Sequence, residues 1–247
     1  MSDDVRNAKT ETTETLRRQY EELAELAGSL AHEIKNPLSV IHMNIDLLSE
    51  ELGDIEAPAR QRAINKVDIV RQQCERMENL LRDFLRFARL REIDLTPGSL
   101  NHQIDRVLRA YEAQAEQQNV DVEMYLDADL PAIMLNSDTL QAALMNLVKN
   151  ALEAMQHGGQ LVVRTYSTRG GVALELIDNG PGMEDSTVIH MFEPFYSTKS
   201  GGSGLGLPTA RKIIEAHGGG ITVQSEPGRG TRFVLAFPVP RRLGGGG

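Results

Sequence analysis

The sequence has no tryptophan, few aromatic residues (4 %) and a single cysteine, Cys74. The scarcity of aromatic side chains disfavours a stacking surface for single-stranded nucleic acid. Because one cysteine cannot form a disulfide within the chain, we expect a reducing, cytoplasmic setting. No stretch approaches the roughly 18 consecutive apolar residues that a membrane-spanning helix needs, so we expect no membrane segment in this chain.

Positive charge is also in short supply. The 247 residues include 26 lysines and arginines against 35 aspartates and glutamates, which gives a net charge of −9. This excess of negative charge argues against direct binding of nucleic acid by charge attraction. Apolar residues at 40 % and charged residues at 25 % are ordinary for a globular protein. The length is sufficient for one large domain or two modest ones.

Residues 21–91 carry the pattern of a helical hairpin. Apolar side chains recur every three or four residues over residues 23–52 and again over residues 67–88, with an interruption at residues 53–58 that contains glycine and proline. One hairpin leaves its apolar stripe exposed, and pairing two hairpins into a dimeric four-helix bundle would bury it. We therefore predict a homodimer through residues 21–91. The alternative is that the second domain of the same chain covers the stripe.

The helical pattern stops at residues 92–98, which we interpret as a hinge linker between two domains. Residues 1–20 are interpreted as an N-terminal segment or the start of a signalling helix, and the glycine-rich residues 241–247 as a flexible tail. Residues 99–240 alternate helix and strand signals. The order of these signals predicts an α/β sandwich with one layer of helices on a mixed sheet.

The elements of this second domain follow from helix caps, alternating strands and glycine breaks. Helices are predicted at residues 99–118, 137–155 and 207–217. Strands are predicted at residues 120–125, 161–167, 172–177, 221–225 and 231–237.

His32 is the first candidate for chemistry. It lies two residues from both Leu30 and Ile34 of the apolar stripe, and about 100° per residue places it roughly 200° from each, so we expect its imidazole to face water. A neutral ring nitrogen is able to attack phosphorus. Asn36, one turn further on, shares the face of His32, and Pro37 removes a backbone donor just past the histidine. An exposed helical histidine taken alone usually has no function.

A polar stripe on the predicted helix 137–155 is the second candidate. Asn146 and Asn150 are four residues apart and Glu153 follows one turn later, so two amides and a carboxylate share one face. Oxygen ligands on a rigid helix suit Mg²⁺, which binds a few protein oxygens together with phosphates and waters. A solvated helix face would carry the same residue types.

Asp178 ends an apolar strand and is followed by Gly180 and Gly182. A carboxylate at a strand end can accept a hydrogen bond from the amino group of adenine, and glycines beside it let the backbone approach a flat ring. Taken alone, these residues form an ordinary turn.

A glycine-rich segment, GGSGLGL at residues 201–207, opens a predicted helix. Backbone without side chains at a helix N-terminus suits the binding of phosphate. The segment is not a dinucleotide fingerprint, because no strand leads directly into it. It is not a P-loop either, because the chain has no GxxxxGK motif followed by serine or threonine.

Residues 32–38, HEIKNPL, resemble the phosphoacceptor box of sensor histidine kinases. The resemblance implies that His32 is the nucleophile and that Glu33 is a base or an orienting partner for its other ring nitrogen. It also implies that Asn36 assists the dephosphorylation of the partner protein. Neighbours at i+1 do not share a helix face, so the role of Glu33 comes from the resemblance and not from the spacing.

The second domain resembles the ATP-binding domain of the same family, of the gyrase and histidine kinase type, and the resemblance covers about residues 20–240. The FYSTK sequence before the glycine loop is closest to the nitrogen-regulation type. The matching boxes, in order, are NLVKNA at 146–151, DNGPG at 178–182, FEPF at 192–195, GSGLGL at 202–207 and, more weakly, GRGT at 228–231.

The resemblance implies roles for the residues in these boxes. Asn150 would hold Mg²⁺ with Asn146 on the same face, Asp178 would recognise adenine, and Lys199 would reach the terminal phosphates. Thr231 would support the adenine site through water. The glycines that would shape the adenine pocket are Gly180 and Gly182, and the residues of a mobile phosphate lid are Gly202, Gly204, Leu205 and Gly206. Related kinases often carry arginine or lysine near the position of His190, so its role is left open.

The expected protein is a sensor histidine kinase that uses Mg-ATP to phosphorylate His32. It then transfers the phosphoryl group to an aspartate of a response-regulator receiver domain and also dephosphorylates that regulator. Two alternatives remain. Gyrase-type ATPases and serine kinases share the nucleotide fold, although residues 28–38 argue against them. The second alternative is a degenerate kinase that acts as a scaffold or only as a phosphatase.

Overall fold

The computed structural model describes residues 35, 38–39, 41–43, 45–46, 49, 57–88, 93–199 and 202–239. The chain divides into two compact units, Met1–Arg89 and Leu90–Gly247. None of the helices in these described stretches combines the length and the apolar character that crossing a bilayer requires.

The first unit is helical wherever it is described. Its long helix α1 spans Ala57–Ala88. Before it, the hydroxyl groups of Ser39 and Ser49 donate to carbonyls one turn earlier, at 3.0 Å and 2.9 Å, as serines in a helix do. Pro58 falls within the interruption predicted from the sequence but lies in the first turn of α1. A missing N–H costs no helical hydrogen bond there.

Among the described side chains of the first unit, one pair from each of two helical stretches is buried together. Leu38 and Ile45 are seven residues apart, as are Val67 and Cys74, and all four side chains are buried in one cluster. The helical character predicted for this region is confirmed. Val70 and Met77, which belong to the same predicted stripe, are 44 % and 50 % exposed. The stripe therefore divides into a half that packs within the chain and a half that stays open.

The second unit contains four helices and seven strands among its described residues. The helices are α2 (Leu100–Gln117), α3 (Ser137–Ala154), α4 (Asp185–His190) and α5 (Gly206–Ala216). The strands are β1 (Thr96–Gly98), β2 (Val120–Leu126), β3 (Ile133–Leu135), β4 (Gly159–Thr168), β5 (Gly171–Asp178), β6 (Gly220–Glu226) and β7 (Gly230–Pro238).

Five of these strands form a mixed sheet in the order β2-β4-β5-β7-β6. The β2–β4 pair is parallel and the other three pairs are antiparallel. Apolar residues of α2, α3 and α5 share one core with alternate strand residues such as Leu174 and Leu176. Glu175, between them, faces the other side of the sheet, where Arg232 and Tyr166 bind its carboxylate. The predicted α/β sandwich is confirmed.

Two of the four helices described in the second unit begin with a side-chain cap. Ser99 accepts a hydrogen bond from the His102 N–H at 3.2 Å and caps α2, at the start of the predicted helix 99–118. The cap of α3 is Asn136, which accepts from the Thr139 N–H at 3.1 Å. The sequence predicts a helix that begins at residue 137, one position after this cap. Asparagine and serine are comparable caps, so a run of capping residues leaves the first turn ambiguous by one position.

The last part of the predicted linker is not a linker. Thr96–Gly98, the C-terminal end of residues 92–98, form β1 and pair antiparallel with β3, so that Pro97 faces Met134. A β-carbon on Gly98 would come within 2.9 Å of Leu135, which explains a glycine at this crossing. A three-residue strand whose partner is distant in sequence shows no alternation that sequence reading can detect. The short helix α4 was missed for the same reason of length.

His217 ties the end of α5 to the start of α3. Its side chain is 2 % exposed. Nδ1 lies 2.7 Å from the Ile213 carbonyl, and Nε2 accepts a hydrogen bond from the Asn136 N–H at 3.0 Å. These two bonds require a neutral ring with its proton on Nδ1. Nothing in the sequence distinguished this histidine from the others.

His217→Leu is expected to lower the free energy of unfolding by about 1–3 kcal/mol, because the substitution keeps most of the volume but leaves the partly buried Asn136 N–H without an acceptor. Urea unfolding of the full chain, followed by circular dichroism, measures the change. His157→Leu is the matched control, since His157 is exposed. Equal stability of the two variants would contradict the role assigned to His217.

Candidate functional site

Two loops and the first residue of α5 meet one stripe of α3. The side-chain amide of Asn146 donates to the Gly206 carbonyl at 3.0 Å, at the start of α5. Eight residues later, Ala154 lies against the turn after β5, where a β-carbon on Gly180 would come within 3.2 Å of the Ala154 β-carbon. The four-residue spacing of 146, 150 and 154 places all three positions on one side of the helix.

Asn150, in the middle of this stripe, faces a cluster of charges. Its Oδ1 accepts a hydrogen bond from Lys199 Nζ at 3.3 Å. The same ammonium group lies 2.5 Å from Glu153 Oε2. Lys149 approaches the other oxygen of Glu153 at 3.7 Å. The amide and carboxylate oxygens of this face therefore attract positive charge.

Asp178 is buried at the end of β5, with 6 % of its surface exposed. Its Oδ1 accepts N–H groups from Gly180 at 3.0 Å and from Thr231 at 3.2 Å. Among the described residues, the hydrogen bonds to this carboxyl group both end on Oδ1, so Oδ2 is left to accept another donor. Burial raises the pKa of Asp178 above its ordinary value, and the two N–H groups oppose that rise.

The turn after β5 packs backbone to backbone against the turn between β6 and β7. Gly228 donates its N–H to the Pro181 carbonyl at 2.7 Å. Gly182 (φ +68°) and Gly230 (φ +87°) adopt left-handed conformations. A β-carbon on either one would overlap the backbone of the opposite turn. Glycine is therefore required here for both space and conformation.

Ser225 joins these two turns and was not found from the sequence. Its hydroxyl donates to the Gly230 carbonyl at 3.0 Å, accepts the Met183 N–H at 2.9 Å and lies 3.0 Å from Thr231 Oγ1. Thr231 in turn supports Asp178. The only sequence signal for Ser225 is a polar residue at a core-facing position of an alternating strand.

The glycine-rich segment is anchored at its base. Phe195 donates its N–H to the Gly204 carbonyl at 3.0 Å, and both residues have positive φ, +68° and +66°. Gly202 lies close to Ser197, whose hydroxyl would meet a β-carbon at 2.5 Å. Leu205 is fully buried, so its side chain packs in the interior and does not line a ligand site.

The structure brings together two groups of the residues predicted from the sequence. Asn146, Asn150, Lys199 and Gly206 gather on α3, and the residues around Asp178 are Gly180, Gly182 and Thr231. The predicted phosphoacceptor residues His32, Glu33 and Asn36 lie outside the described residues. His190, whose role was left open, binds Glu193 at 2.9 Å and lies 5.7 Å from the Tyr196 ring.

The oxygen atoms around Asn150 would suit a hard cation better than a transition metal. No group of three or more histidine, cysteine, aspartate or glutamate side chains converges within the described ranges. A site built from one amide oxygen, a nearby carboxylate and a bound phosphate is the type that Mg²⁺ prefers, because this ion keeps several waters. The ammonium group of Lys199 shows that a cation is attracted to Asn150.

Two family models match this chain. Residues 22–93 match the His Kinase A (phospho-acceptor) domain. Residues 135–241 match the histidine kinase-, DNA gyrase B- and HSP90-like ATPase.

Similar curated proteins include sporulation kinase E of Bacillus subtilis, 33 % identical over 88 % of this chain, and the sensory histidine kinase/phosphatase NtrB of Rhodobacter capsulatus, 34 % identical over 88 % of this chain. The chain spans 29 % of the length of the first relative and 63 % of the second.

Similar solved structures include full-length ShkA in complex with AMPPNP, with a TM-score of 0.68 and 26 % identity over 87 % of this chain and 47 % of that chain. The histidine kinase ThkA in complex with the response regulator protein TrrA has a TM-score of 0.64 and 25 % identity over 91 % of this chain and 64 % of that one.

Asp178→Asn is expected to raise the free energy of unfolding at neutral pH. Burial raises the pKa of Asp178, so the folded chain still holds this proton at pH values where the unfolded chain has released it. The contribution of Asp178 to the free energy of unfolding therefore falls as the pH rises from the ordinary aspartate pKa through the raised pKa of the folded chain. Asparagine does not ionise, yet its oxygen still accepts the two N–H groups. Urea unfolding over a descending pH series measures the difference between the two chains.

The gain from Asp178→Asn should disappear below the ordinary pKa of aspartate, where both side chains are neutral. The wild-type chain at each pH is the reference. A difference in stability that does not change with pH would contradict the raised pKa.

Proposed function

Because the chain belongs to the histidine kinases, we propose that it phosphorylates His32 with ATP and transfers the phosphoryl group to an aspartate of a response-regulator receiver domain. The observation that carries this proposal is the pairing of two features in one unit. A buried carboxyl group with one oxygen available borders the same helix, α3, as a face that attracts cations. Adenine and phosphate are the two parts of ATP that these features suit.

We propose that Asp178 recognises the adenine base. Its Oδ1 is held by two backbone N–H groups, which orients Oδ2 to accept a hydrogen bond from an exocyclic amino group. Guanine presents a carbonyl oxygen at the corresponding position, and two acceptors would repel each other. The close backbone packing at Gly182 and Gly230 keeps this wall of the site rigid.

The phosphates are proposed to lie between α3 and the glycine-rich segment. Asn150 would hold Mg²⁺ with Asn146 on the same face, and a bound Mg²⁺ supplies neutralisation of phosphate charge. Lys199 would contact the terminal phosphates, and the backbone around Gly202, Gly204 and Gly206 would donate N–H groups to them. Asn146 positions this segment through its bond to the Gly206 carbonyl.

His32 is proposed as the phosphoacceptor. A neutral ring nitrogen attacks the γ-phosphorus in line, the N–P bond forms, and the bond to the β-γ bridging oxygen breaks to release ADP. Glu33 accepts or orients the proton on the other ring nitrogen. The second unit, which carries the proposed nucleotide site, has to bring the γ-phosphate to His32. We place the hinge for this movement in the residues that precede β1.

The proposed partner is a response-regulator receiver domain, which supplies the aspartate that takes the phosphoryl group. The similar kinase ThkA has been solved with the response regulator TrrA, and the relative NtrB is described as a kinase and phosphatase. We propose that Asn36 assists the reverse reaction, dephosphorylation of the regulator. We place the chain in the cytoplasm, where ATP is available and a free thiol such as Cys74 stays reduced.

A second copy of this chain is the other proposed partner. Val70, Met77 and Leu80 of α1 are between 40 % and 50 % exposed. They lie beside the buried heptad of Val67 and Cys74. Pairing of two hairpins would cover this apolar stripe and complete a four-helix bundle.

His32→Gln is expected to abolish labelling of the purified protein by γ-radiolabelled ATP, because glutamine has no ring nitrogen to attack phosphorus. The wild-type label should be acid-labile and alkali-stable, as a phosphoramidate is. His42→Gln, the same substitution on another histidine of the first unit, is the control and should label normally. Equal labelling of His32→Gln, or acid-stable phosphoserine, would refute the proposal and favour a serine kinase.

Met77→Glu is expected to shift the protein from dimer to monomer, because it places two like charges in the proposed apolar contact between copies. Size-exclusion chromatography with light scattering measures the mass. Asn79→Glu introduces the same charge at an exposed polar position of α1 and should leave the dimer intact. A wild-type chain that is monomeric at all concentrations would contradict the dimer.

A further inference from the structure

The ammonium group of Lys199 takes the place of a cation at the proposed metal ligand. Lys199 Nζ lies 3.3 Å from Asn150 Oδ1 and 2.5 Å from Glu153 Oε2. Glu153 thus holds the lysine at the amide oxygen that would bind Mg²⁺. Lys199 comes from the loop between α4 and α5, and the other two residues come from α3.

A metal ion and this ammonium group cannot share the Asn150 oxygen. Mg²⁺ binds oxygen at about 2.0–2.1 Å. An ammonium group still hydrogen-bonded to the same oxygen would therefore be only a few ångströms from a doubly charged ion. Repulsion between like charges at such a separation is strong away from bulk water. Lys199 therefore has to leave Asn150 before that amide holds a metal.

We propose that Lys199, positioned by Glu153, is an internal cation that replaces the metal ion at Asn150 and allows the chain to bind nucleotide phosphates without Mg²⁺. The inference rests on the proposed nucleotide site and adds to it a metal-free binding mode. Glu153 is a positioning residue in this scheme, because it acts through Lys199.

Among the described residues, Glu153 has two ammonium partners, Lys149 and Lys199, and of these two Lys199 contacts Asn150. Lys149 lies 3.7 Å from Oε1 on the same helix, with its side chain 58 % exposed. Lys199 is closer to the carboxylate and is 44 % exposed. Lys149→Gln therefore provides a matched control, since it removes a positive charge beside the same carboxylate while leaving the contact between Glu153 and Lys199 intact.

The test is the dissociation constant of a fluorescent ADP analogue, measured by anisotropy in buffers with Mg²⁺ and with EDTA. Glu153→Gln is expected to weaken binding in EDTA about two- to fivefold, the effect of losing one partly exposed ion pair, with a smaller change in Mg²⁺. Loss of a negative charge alone would strengthen the binding of an anion. The direction of the change in the dissociation constant therefore distinguishes a positioning role of Glu153 from simple electrostatic repulsion.

Two further variants complete the test. Lys199→Met is expected to weaken binding in EDTA by about tenfold or more, because a charged hydrogen bond is lost. Lys149→Gln should change binding by the same factor in both buffers. Reactivity of Lys199 toward an amine-acylating reagent in the nucleotide-free protein should rise in Glu153→Gln and stay unchanged in Lys149→Gln.

The inference is overturned if the wild type binds the analogue only with Mg²⁺, or if Glu153→Gln binds it in EDTA as tightly as the wild type or more tightly. Failure of the proposed function gives a different result, in which the wild type binds the analogue in neither buffer. A Glu153→Gln variant whose Lys199 reactivity equals that of the wild type also counts against the positioning role.

Discussion

Burial of the Asp178 carboxyl group is the constraint on which the second unit depends. A carboxyl group at 6 % exposure is stable only where donors are fixed around it, and here they come from the backbone at Gly180 and Thr231. Holding those N–H groups in place requires the two turns to approach closely, which in turn requires glycine at residues 182 and 230. One buried oxygen therefore determines the path of two separate loops.

The stripe on α3 has a complementary role. Its positions 146, 150 and 154 contact Gly206, Lys199 and Gly180 in turn, so a single helix sets the relative placement of the glycine-rich segment, the lysine before it and the turn at Asp178. The regular spacing of a helix fixes the relative positions of these groups more accurately than loops alone could. The site is thus assembled on a rigid element even though most of its predicted ligand contacts come from loops.

Much of this arrangement could be predicted from the sequence, because periodicity and caps are local signals. The core strands, the helix capped by Ser99 and the shared face of Asn146 and Asn150 all follow from spacing. The pairing of β1 with β3, the tie made by His217 and the link made by Ser225 depend on contacts between residues distant in the chain. The contact of Lys199 with Glu153 is of the same kind, since no spacing rule relates residues 46 positions apart.

The hydrogen bond between the Phe195 N–H and the Gly204 carbonyl holds together the two ends of the segment between these residues. With the ends held, lengthening this segment has a small entropic cost, about 0.6 kcal/mol for each doubling of its length. A longer segment at this point is therefore expected to leave the surrounding architecture intact. For protein engineering, an insertion here is expected to cost little stability and to alter nucleotide binding instead, because Lys199 and Gly202 of the proposed phosphate site lie within this segment.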